Sequence, residues 1–312
     1  MGRAARQGLR RPATGRQRVI RILQFGATGQ VSRAMIAAAP GRAALAPLSR
    51  AQVDLADTAA IEAAIAGADC DLVINCAAFT LVDKAEAEPE ATRAANALAP
   101  AAMAQACAAR GLPLVHLSTD CVFDGTLDRA YREDDAPNPL SVYGATKLEG
   151  ETAVLAWEKG VVLRVSWVFS RFGRNFIRTM LELGRTRDEL RVVADQYGCP
   201  TDAVALADFL LGAAPRWASA APGDPAFGLF HFTNAGATSR HDLAAAALRR
   251  DPLTRARLSP IAKRDFPEPA ARPLNGALDS SRVSAVFGWQ AEPWASAVAR
   301  AADQIIAEGL DT

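Results

Sequence analysis

Short apolar runs alternate with alanine-rich stretches along the first half of the chain. The apolar runs cover residues 19–25, 43–48, 71–77, 113–118 and 161–166, and each has the length of a strand. The stretches between them are long enough for helices. Strands that alternate with helices form parallel βαβ units with right-handed crossovers. The pattern therefore predicts an α/β fold with a Rossmann-type doubly wound parallel sheet over residues 19–168.

Beyond residue 168 the pattern is less regular. Prolines are frequent between Pro200 and Pro273, and residues 230–233 resemble a short strand. We expect residues 169–312 to form a smaller C-terminal substrate-binding lobe. Some of its elements should return to the Rossmann domain.

The composition excludes several classes of protein. A hydrophobic fraction of 50% allows a full core, and a net charge of +1 indicates neither a nucleic-acid nor a membrane partner. No apolar run is long enough for a transmembrane helix. Five cysteines without a CxxC pair favour a reducing, cytoplasmic setting over disulfides or a zinc site. Three scattered histidines do not indicate a metal site either.

Residues 1–18 are rich in arginine and contain no acidic residue. They also lack the apolar block of a secretory signal. An organellar transit segment has a similar composition. We favour a disordered basic extension, because such a polar segment cannot bury enough apolar surface to fold.

A glycine-containing turn follows the first predicted strand. Its spacing is Gly26-x-x-Gly29-x-x-Ser32, where folds of this kind commonly carry a third glycine. Glycine lets the backbone approach a pyrophosphate, and the next helix offers free N–H groups. A plain strand–helix turn would look similar, but the flanking elements favour a dinucleotide site. The residues expected to form this site are Gly26, Thr28, Gly29, Gln30 and Val31.

The end of the second predicted strand indicates which nicotinamide cofactor binds. A carboxylate there would bind the ribose hydroxyls of NAD, but the chain has Arg50 instead. Arginine is the usual partner of the additional 2′-phosphate of NADP. We therefore expect NADPH in preference to NADH, with Asp54 and Leu55 beside the adenine. The alternative is that Arg50 is an ordinary solvated charge.

A tyrosine and a lysine lie four residues apart in the segment YGATK. This spacing places Tyr143 and Lys147 on one face of a helix. A nearby ammonium would lower the pKa of the phenol from its ordinary value of about 10. The lysine could also hold the nicotinamide ribose. Thr119 ends the fourth predicted strand and could contact the same carbonyl oxygen as Tyr143, so the three residues predict a catalytic set for proton transfer.

Longer segments resemble the dTDP-4-dehydrorhamnose reductase family, which belongs to the extended short-chain dehydrogenases. The matching segments are INCAAFTLVDKAEAEPE from residue 74, STDCVFDG from 118, YGATKLEGE from 143, LRVSWVF from 163, ADQYGCPT from 194 and FPEPAARPLNGALD from 266. Asn96 matches a family asparagine as well. Together these segments extend the resemblance over most of the chain.

The resemblance implies a reaction and a set of contacts. A hydride would pass from the nicotinamide to the C4 ketone of dTDP-4-dehydro-6-deoxy-L-mannose, and Tyr143 would donate the proton to its oxygen. Lys147 would hold the cofactor ribose. Beside the cofactor, the resemblance places Ala77, Ala78, Phe79 and Leu117. On the substrate side it places Thr119, Asp120, Trp167, Asn175 and Arg272.

Several of these residues have a structural alternative. Trp167 and Phe79 could belong to the core, and Asn175 could cap a helix. Arg272 could be a surface charge, although its guanidinium suits a diphosphate. For the acidic segment 86–90 we favour a solvated face over a Mg²⁺ site. The oligomeric state is open, and a homodimer is compatible with the sequence.

Two positions depart from the family pattern, and two rival functions stay open. Ser32 replaces a glycine, and Cys121 replaces a tyrosine of the family segment STDYVFDG. A cysteine nucleophile is not needed to reduce a ketone. The first rival is a nucleotide-sugar epimerase or dehydratase, but a dehydratase would want a second acid after Asp120. The second rival is a non-catalytic regulatory subunit, which need not keep Thr119, Tyr143 and Lys147.

Overall fold

The computed structural model describes residues 19–310, so the prediction for residues 1–18 lies outside the described part. The strands are β1 (Ile20–Phe25), β2 (Ala43–Leu48), β3 (Leu72–Asn75), β4 (Leu114–Thr119), β5 (Gly160–Val165), β6 (Val168–Phe169), β7 (Glu189–Val193), β8 (Tyr197–Gly198), β9 (Thr201–Asp202), β10 (Gly228–His231), β11 (Thr238–Ser239), β12 (Arg257–Ile261) and β13 (Asn275–Gly276).

Helices connect most of these strands. The α-helices are α1 (Gln30–Ala38), α2 (Thr58–Gly67), α3 (Val82–Ala87), α4 (Pro89–Arg93), α5 (Ala99–Arg110), α6 (Val142–Leu155), α7 (Phe176–Thr186), α8 (Ala203–Ser219), α9 (Arg240–Leu248), α10 (Ser281–Phe287) and α11 (Trp294–Glu308). A π-helical turn over Ala94–Leu98 links α4 to α5, and a 3₁₀ turn over Asp120–Val122 follows β4.

Within residues 19–310 the main sheet has six parallel strands in the order β10-β5-β4-β3-β1-β2. The chain order of the strands reverses between β1 and β3. In open parallel sheets, ligands bind at such a reversal, outside the carboxyl ends of the strands. The sheet confirms the predicted Rossmann-type fold and directs attention to the loops after β1 and β3.

Alternate side chains of the strands point to opposite faces of the sheet, and helices cover both faces. On one face, Ile22 and Ile74 pack with Met35 of α1 and Leu206 of α8. On the other face, Val73 packs against α2 and α5. Strands buried on both faces explain why the apolar runs in the sequence are nearly continuous.

The second half of the chain contributes to both lobes. Strand β10 pairs with β5 in the main sheet, and α8 packs on α1. The two-stranded β7–β12 ribbon and a three-stranded sheet in the order β11-β8-β13 lie outside it. Helices α7, α9 and α11 share a separate apolar core. In the described residues, no helix combines the length and the apolar character needed to cross a membrane.

Candidate active site

Two adjoining cavities open at the strand reversal. Their volumes are about 520 and 540 Å³, which is within the range of small-molecule sites. Both are lined by the glycine turn after β1 and by the loop after β3. The residues that they share are Thr28, Gly29, Cys76, Ala77, Ala78 and Thr80. The two cavities therefore form one continuous cleft.

The turn after β1 has the geometry of a phosphate-binding turn. Gly26 has φ +92°, and a Cβ there would lie 3.1 Å from Ser32 Oγ and 3.3 Å from Ala77 Cβ. Ser32 is buried, so its small side chain fits where a third glycine is common. No side chain among the described residues caps Gly29 at the start of α1. The first N–H groups of α1 are therefore available to a diphosphate.

The residues that line the first cavity are those predicted to lie beside the adenosine of the cofactor. It is lined by Leu48, Arg50, Asp54, Leu55 and Phe79, among others. The Arg50 side chain is 88% exposed, and its Nε lies 3.4 Å from Asp54 Oδ2. A guanidinium held so loosely can turn toward a phosphate at the cavity mouth.

Two asparagines shape the loop after β3. Asn75 Oδ1 accepts the N–H of Ala77 at 3.0 Å. Asn96, on the π-helical turn, accepts the N–H of Phe79 at 2.9 Å and donates to its carbonyl oxygen at 3.1 Å. This explains why Asn96 accompanies the matching segment, since it holds the cofactor-side loop in place.

Helix α6 carries Tyr143 and Lys147 into the second cavity. The helix begins after Ser141, whose hydroxyl accepts the N–H of Gly144 at 3.2 Å. Any Cβ at Gly144 would overlap the backbone oxygen of Cys121. The glycine therefore lets α6 lie directly against the turn after β4 and brings Tyr143 close to Thr119.

The predicted lowering of the Tyr143 pKa is wrong for this structure. Burial raises the pKa above its ordinary value, and the nearby Cys121 adds to this, while a hydrogen bond with Thr119 opposes it. The Lys147 amine does not act on Tyr143 here, because its Nζ lies 2.6 Å from Leu117 O and 3.0 Å from His116 Nε2. Tyr143 is therefore a protonated phenol at neutral pH, which suits a proton donor.

Thr119 and Asp120 form a buried hydrogen-bonded group beneath the cavity. Thr119 Oγ1 donates to Asp120 Oδ1 at 3.0 Å, and Ser166 Oγ donates to Asp120 Oδ2 at 3.0 Å. Burial raises the pKa of Asp120. A Cβ at Gly276 would overlap Asp120 Oδ2. The second lobe can therefore pack against the Asp120 carboxyl because residue 276 has no side chain.

Cys121 is a protonated thiol. Burial and the neighbouring Asp120 raise its pKa to about 12, and the thiolate is the nucleophilic form of cysteine. Its Sγ lies 3.9 Å from Asp120 Oδ1. The thiol lines the second cavity, together with Tyr143, at the position where the family segment has a tyrosine.

An arginine that sequence reasoning missed lies on Trp167. The Arg240 guanidinium is 3.8 Å from the centre of the Trp167 ring and lines the second cavity. Trp167 has φ +49°, a costly conformation for a bulky residue. Gly198 leaves room for the ring, since a Cβ there would lie 2.7 Å from it. Trp167 and Arg240 thus form a cation–aromatic pair in the second cavity.

Arg272 also lines this cavity, but two carboxylates occupy its guanidinium. Its Nη2 lies 2.9 Å from Asp83 Oδ2, and its Nη1 lies 2.8 Å from Glu268 Oε2. Asp83 belongs to α3, so this ion pair connects the two lobes. Arg240 forms no such ion pair within the described residues, which makes it the more available of the two cations.

Comparison with known proteins identifies the family. A family model described as the RmlD substrate binding domain matches residues 20–306. A dTDP-4-dehydrorhamnose reductase of Sinorhizobium fredii is 40% identical over 77% of this chain and 82% of its own length. The chain belongs to the dTDP-4-dehydrorhamnose reductase family.

Solved structures of this reductase family have the same fold. The enzyme from Clostridium acetobutylicum is 33% identical, with a TM-score of 0.86 over 92% of this chain and 100% of that one. The enzyme from Bacillus anthracis, crystallised with NADP, is 28% identical, with a TM-score of 0.84 over 91% of this chain and 99% of that one. The family resemblance seen in the sequence is confirmed.

The structure brings the predicted site residues of this reductase together, with one exception. Gly26, Thr28, Gly29, Gln30, Val31, Arg50, Asp54, Leu55, Ala77, Ala78, Phe79, Leu117, Thr119, Asp120, Tyr143, Lys147, Trp167 and Arg272 line the cleft. Asn175 lies outside it. Its Oδ1 accepts the N–H of Arg178 at 3.2 Å and its Nδ2 donates to Ser170 O at 2.7 Å, so it caps α7. Asn175 therefore has the helix-capping role that the sequence left open as the alternative, and its substrate contact stays a prediction.

Proposed function

We propose that this chain is the NADPH-dependent reductase that converts dTDP-4-dehydro-6-deoxy-L-mannose to dTDP-L-rhamnose. The observation that supports this most is one cleft in which a phosphate-binding turn meets Thr119, Tyr143 and Lys147. NADPH supplies the hydride when it is bound. The chain's own residues position the ketone and donate the proton.

Each catalytic residue has a distinct proposed role. Tyr143 gives its phenolic proton to the C4 oxygen, and Thr119, at the end of β4, turns its hydroxyl hydrogen from Asp120 to that oxygen. Lys147 holds the nicotinamide ribose. The protonated state of Tyr143 is set by burial, so the donor is ready before the ketone arrives.

The substrate side contributes shape and charge. Trp167 presents a ring face to the sugar, and Arg240, stacked on that ring, donates to the diphosphate. Arg272 has a structural role, because its ion pair with Asp83 connects the two lobes beside the site. Before the ketone binds, Asp120 accepts the hydrogen of the Thr119 hydroxyl. Residues 19–168 serve mainly the cofactor, and residues 169–312 serve mainly the substrate.

A dehydratase would need a second acid beside Asp120. The next residue is Cys121, whose raised pKa keeps it a thiol, so the site is equipped for proton donation by Tyr143 and not for elimination. A non-catalytic regulatory subunit would not need Thr119, Tyr143 and Lys147 to lie together in one cavity. A homodimer and a cytoplasmic location stay predictions, and so does the interpretation of residues 86–90 as a solvated acidic face.

The proposed function is tested by a substrate screen with both cofactors. Purified protein is mixed with NADPH or NADH and with dTDP-linked and UDP-linked 4-keto-6-deoxyhexoses, and oxidation of the cofactor is followed by absorbance. We expect turnover with the dTDP sugar and preference for NADPH. Absence of turnover with every ketosugar would contradict the proposal.

Arg50→Ala is expected to weaken NADPH binding about tenfold or more and to leave NADH binding nearly unchanged. A charge-assisted hydrogen bond to a 2′-phosphate is worth about 1.5–3 kcal/mol. Fluorescence titration of both cofactors measures the effect. Arg250→Ala serves as control, because Arg250 is exposed and pairs with Asp303 away from the cleft. An equal loss of affinity for NADPH and NADH would show that Arg50 does not bind the 2′-phosphate.

Arg240→Gln is expected to raise KM for the nucleotide sugar about tenfold or more while kcat changes little. The substitution removes the charged donor that faces the diphosphate in our proposal. Steady-state kinetics at saturating NADPH measure the effect. Arg249→Gln is the matched control, because Arg249 is exposed at the other end of α9. An unchanged KM would exclude Arg240 from the diphosphate site.

A further inference from the structure

A buried chain of polar groups lies behind Lys147, on the side away from the cleft. Lys147 Nζ is 3.0 Å from His116 Nε2, and His116 Nδ1 is 3.0 Å from Asn75 Nδ2. All three side chains are at most 1% exposed. Where each hydrogen lies in this chain decides the charge of Lys147.

Asn75 determines the tautomer of the imidazole. Its Oδ1 accepts the N–H of Ala77 at 3.0 Å, so its Nδ2 must be the atom that faces His116. An amide nitrogen only donates, and His116 Nδ1 must therefore accept. Burial holds the pKa of His116 well below its ordinary value. A neutral imidazole with an unprotonated Nδ1 carries its hydrogen on Nε2.

The Nε2–H group therefore points at Lys147. An ammonium has three hydrogens and no lone pair, so it cannot accept a hydrogen bond. A neutral amine can accept from His116 and still donate to Leu117 O, which lies 2.6 Å away. The contact at 3.0 Å is favourable only with the neutral amine.

The surrounding charges do not reverse this preference. Glu151, one turn further along α6, favours the ammonium, but its carboxylate is paired with Arg164 on β5 at 2.6 Å. Tyr143, one turn earlier, is a neutral phenol. Burial lowers the pKa of Lys147 to about 8, in the direction that the hydrogen-bond pattern requires.

We propose that Asn75 and His116 are positioning residues whose hydrogen-bond pattern favours the neutral amine of Lys147 over its ammonium, against Leu117, in the cofactor-free enzyme. Lys147 should therefore lose its proton at a lower pH than an ordinary lysine. The inference rests on the proposed function only in giving Lys147 a place in the cofactor site. The hydrogen positions are measured without cofactor or substrate.

The tautomer is tested by nitrogen-15 NMR of the histidine side chains in the unliganded protein. The chain has only His116, His231 and His241, and a His116→Gln spectrum assigns the signals. We expect His116 with a protonated Nε2 and an unprotonated Nδ1. A proton on Nδ1, or on both nitrogens at neutral pH, would overturn the proposal. This measurement on the unsubstituted protein does not depend on any variant folding.

Asn75→Asp is expected to invert the chain of hydrogen bonds. A carboxylate can accept both the Ala77 N–H and a hydrogen on His116 Nδ1, which leaves Nε2 as an acceptor for a charged Lys147. The midpoint of Lys147 titration should rise by at least about one pH unit. Carbon-13 labelling of lysine Cε resolves it, since the chain has only Lys84, Lys147, Lys159 and Lys263, and exposed Lys84 is the internal control.

An unsubstituted Lys147 that titrates at the ordinary lysine value of about 10.4 would contradict the proposal. So would an Asn75→Asp protein that folds but leaves the midpoint unchanged. Failure of the dTDP-sugar assay alone would affect only the proposed function, because neither NMR measurement uses a substrate.

Discussion

Tyr143→Phe is expected to lower kcat at least about a hundredfold, the scale of a lost general acid. The substitution removes only the hydroxyl and keeps the ring that packs against the turn after β4. Burial keeps Tyr143 protonated, and the neighbouring Cys121 stays a thiol because its pKa is about 12, which makes it a weaker acid than an ordinary phenol. Single-turnover kinetics with saturating NADPH isolate the chemical step.

Two controls separate proton donation from binding or folding. NADPH affinity and thermal unfolding of the Tyr143→Phe protein should match those of the unsubstituted protein. Cys121→Ser tests the neighbouring position and should keep most of the activity. A Tyr143→Phe protein with near-normal kcat would show that another group donates the proton.

Glu151→Ala is expected to lower the free energy of unfolding by about 3–5 kcal/mol, because it leaves a buried guanidinium without its partner. The side chains of Arg164 and Glu151 are 3% and 2% exposed, and they are joined through Arg164 Nη2 at 2.6 Å and Nε at 2.9 Å. This pair ties α6 to β5 one turn from Lys147. Urea unfolding followed by circular dichroism measures the loss.

The matched control lies on the same helix. Glu149 pairs with Arg93, but these side chains are 44% and 53% exposed, so Glu149→Ala should cost at most about 1 kcal/mol. Replacing both buried partners, as Glu151→Leu with Arg164→Met, should recover much of the stability lost in Glu151→Ala. A Glu151→Ala loss no larger than that of Glu149→Ala would mean that the buried pair does not stabilise the packing of α6.

Much of the cofactor site could be predicted because its signals are local in sequence. The turn at Gly26 and Gly29 lies between a strand and a helix that the hydrophobic pattern predicts. The four-residue spacing of Tyr143 and Lys147 needs only a helix to bring them together. Ser32 stands where the spacing predicts a small residue, and its small side chain fits against Gly26.

The substrate side depends on contacts between distant segments. Arg240 reaches Trp167 across more than seventy residues of sequence, through the packing of α9, and no local pattern reports that contact. Asn175 had an apparent site position, but its place at the start of α7 gives its amide to the backbone. His116 was one of three scattered histidines, and its role depends on an asparagine from the adjacent strand.

The Tyr143 pKa shows where pairwise spacing alone is insufficient. Two side chains on one helix face were expected to interact directly. In the folded protein the Lys147 amine instead binds Leu117 and His116, and burial then dominates the phenol. The strength of an electrostatic interaction depends on competing partners and on hydration, which sequence spacing does not give.

Transfer of deuterium from the cofactor to the sugar tests the central claim most directly. NADPH carrying deuterium at both positions of the nicotinamide C4 is incubated with the protein and dTDP-4-dehydro-6-deoxy-L-mannose, and the product is analysed by mass spectrometry and proton NMR. We predict dTDP-L-rhamnose with one deuterium at C4 of the sugar, and none with the Tyr143→Phe protein on the same timescale. An unlabelled sugar, or deuterium at another carbon, would contradict the account.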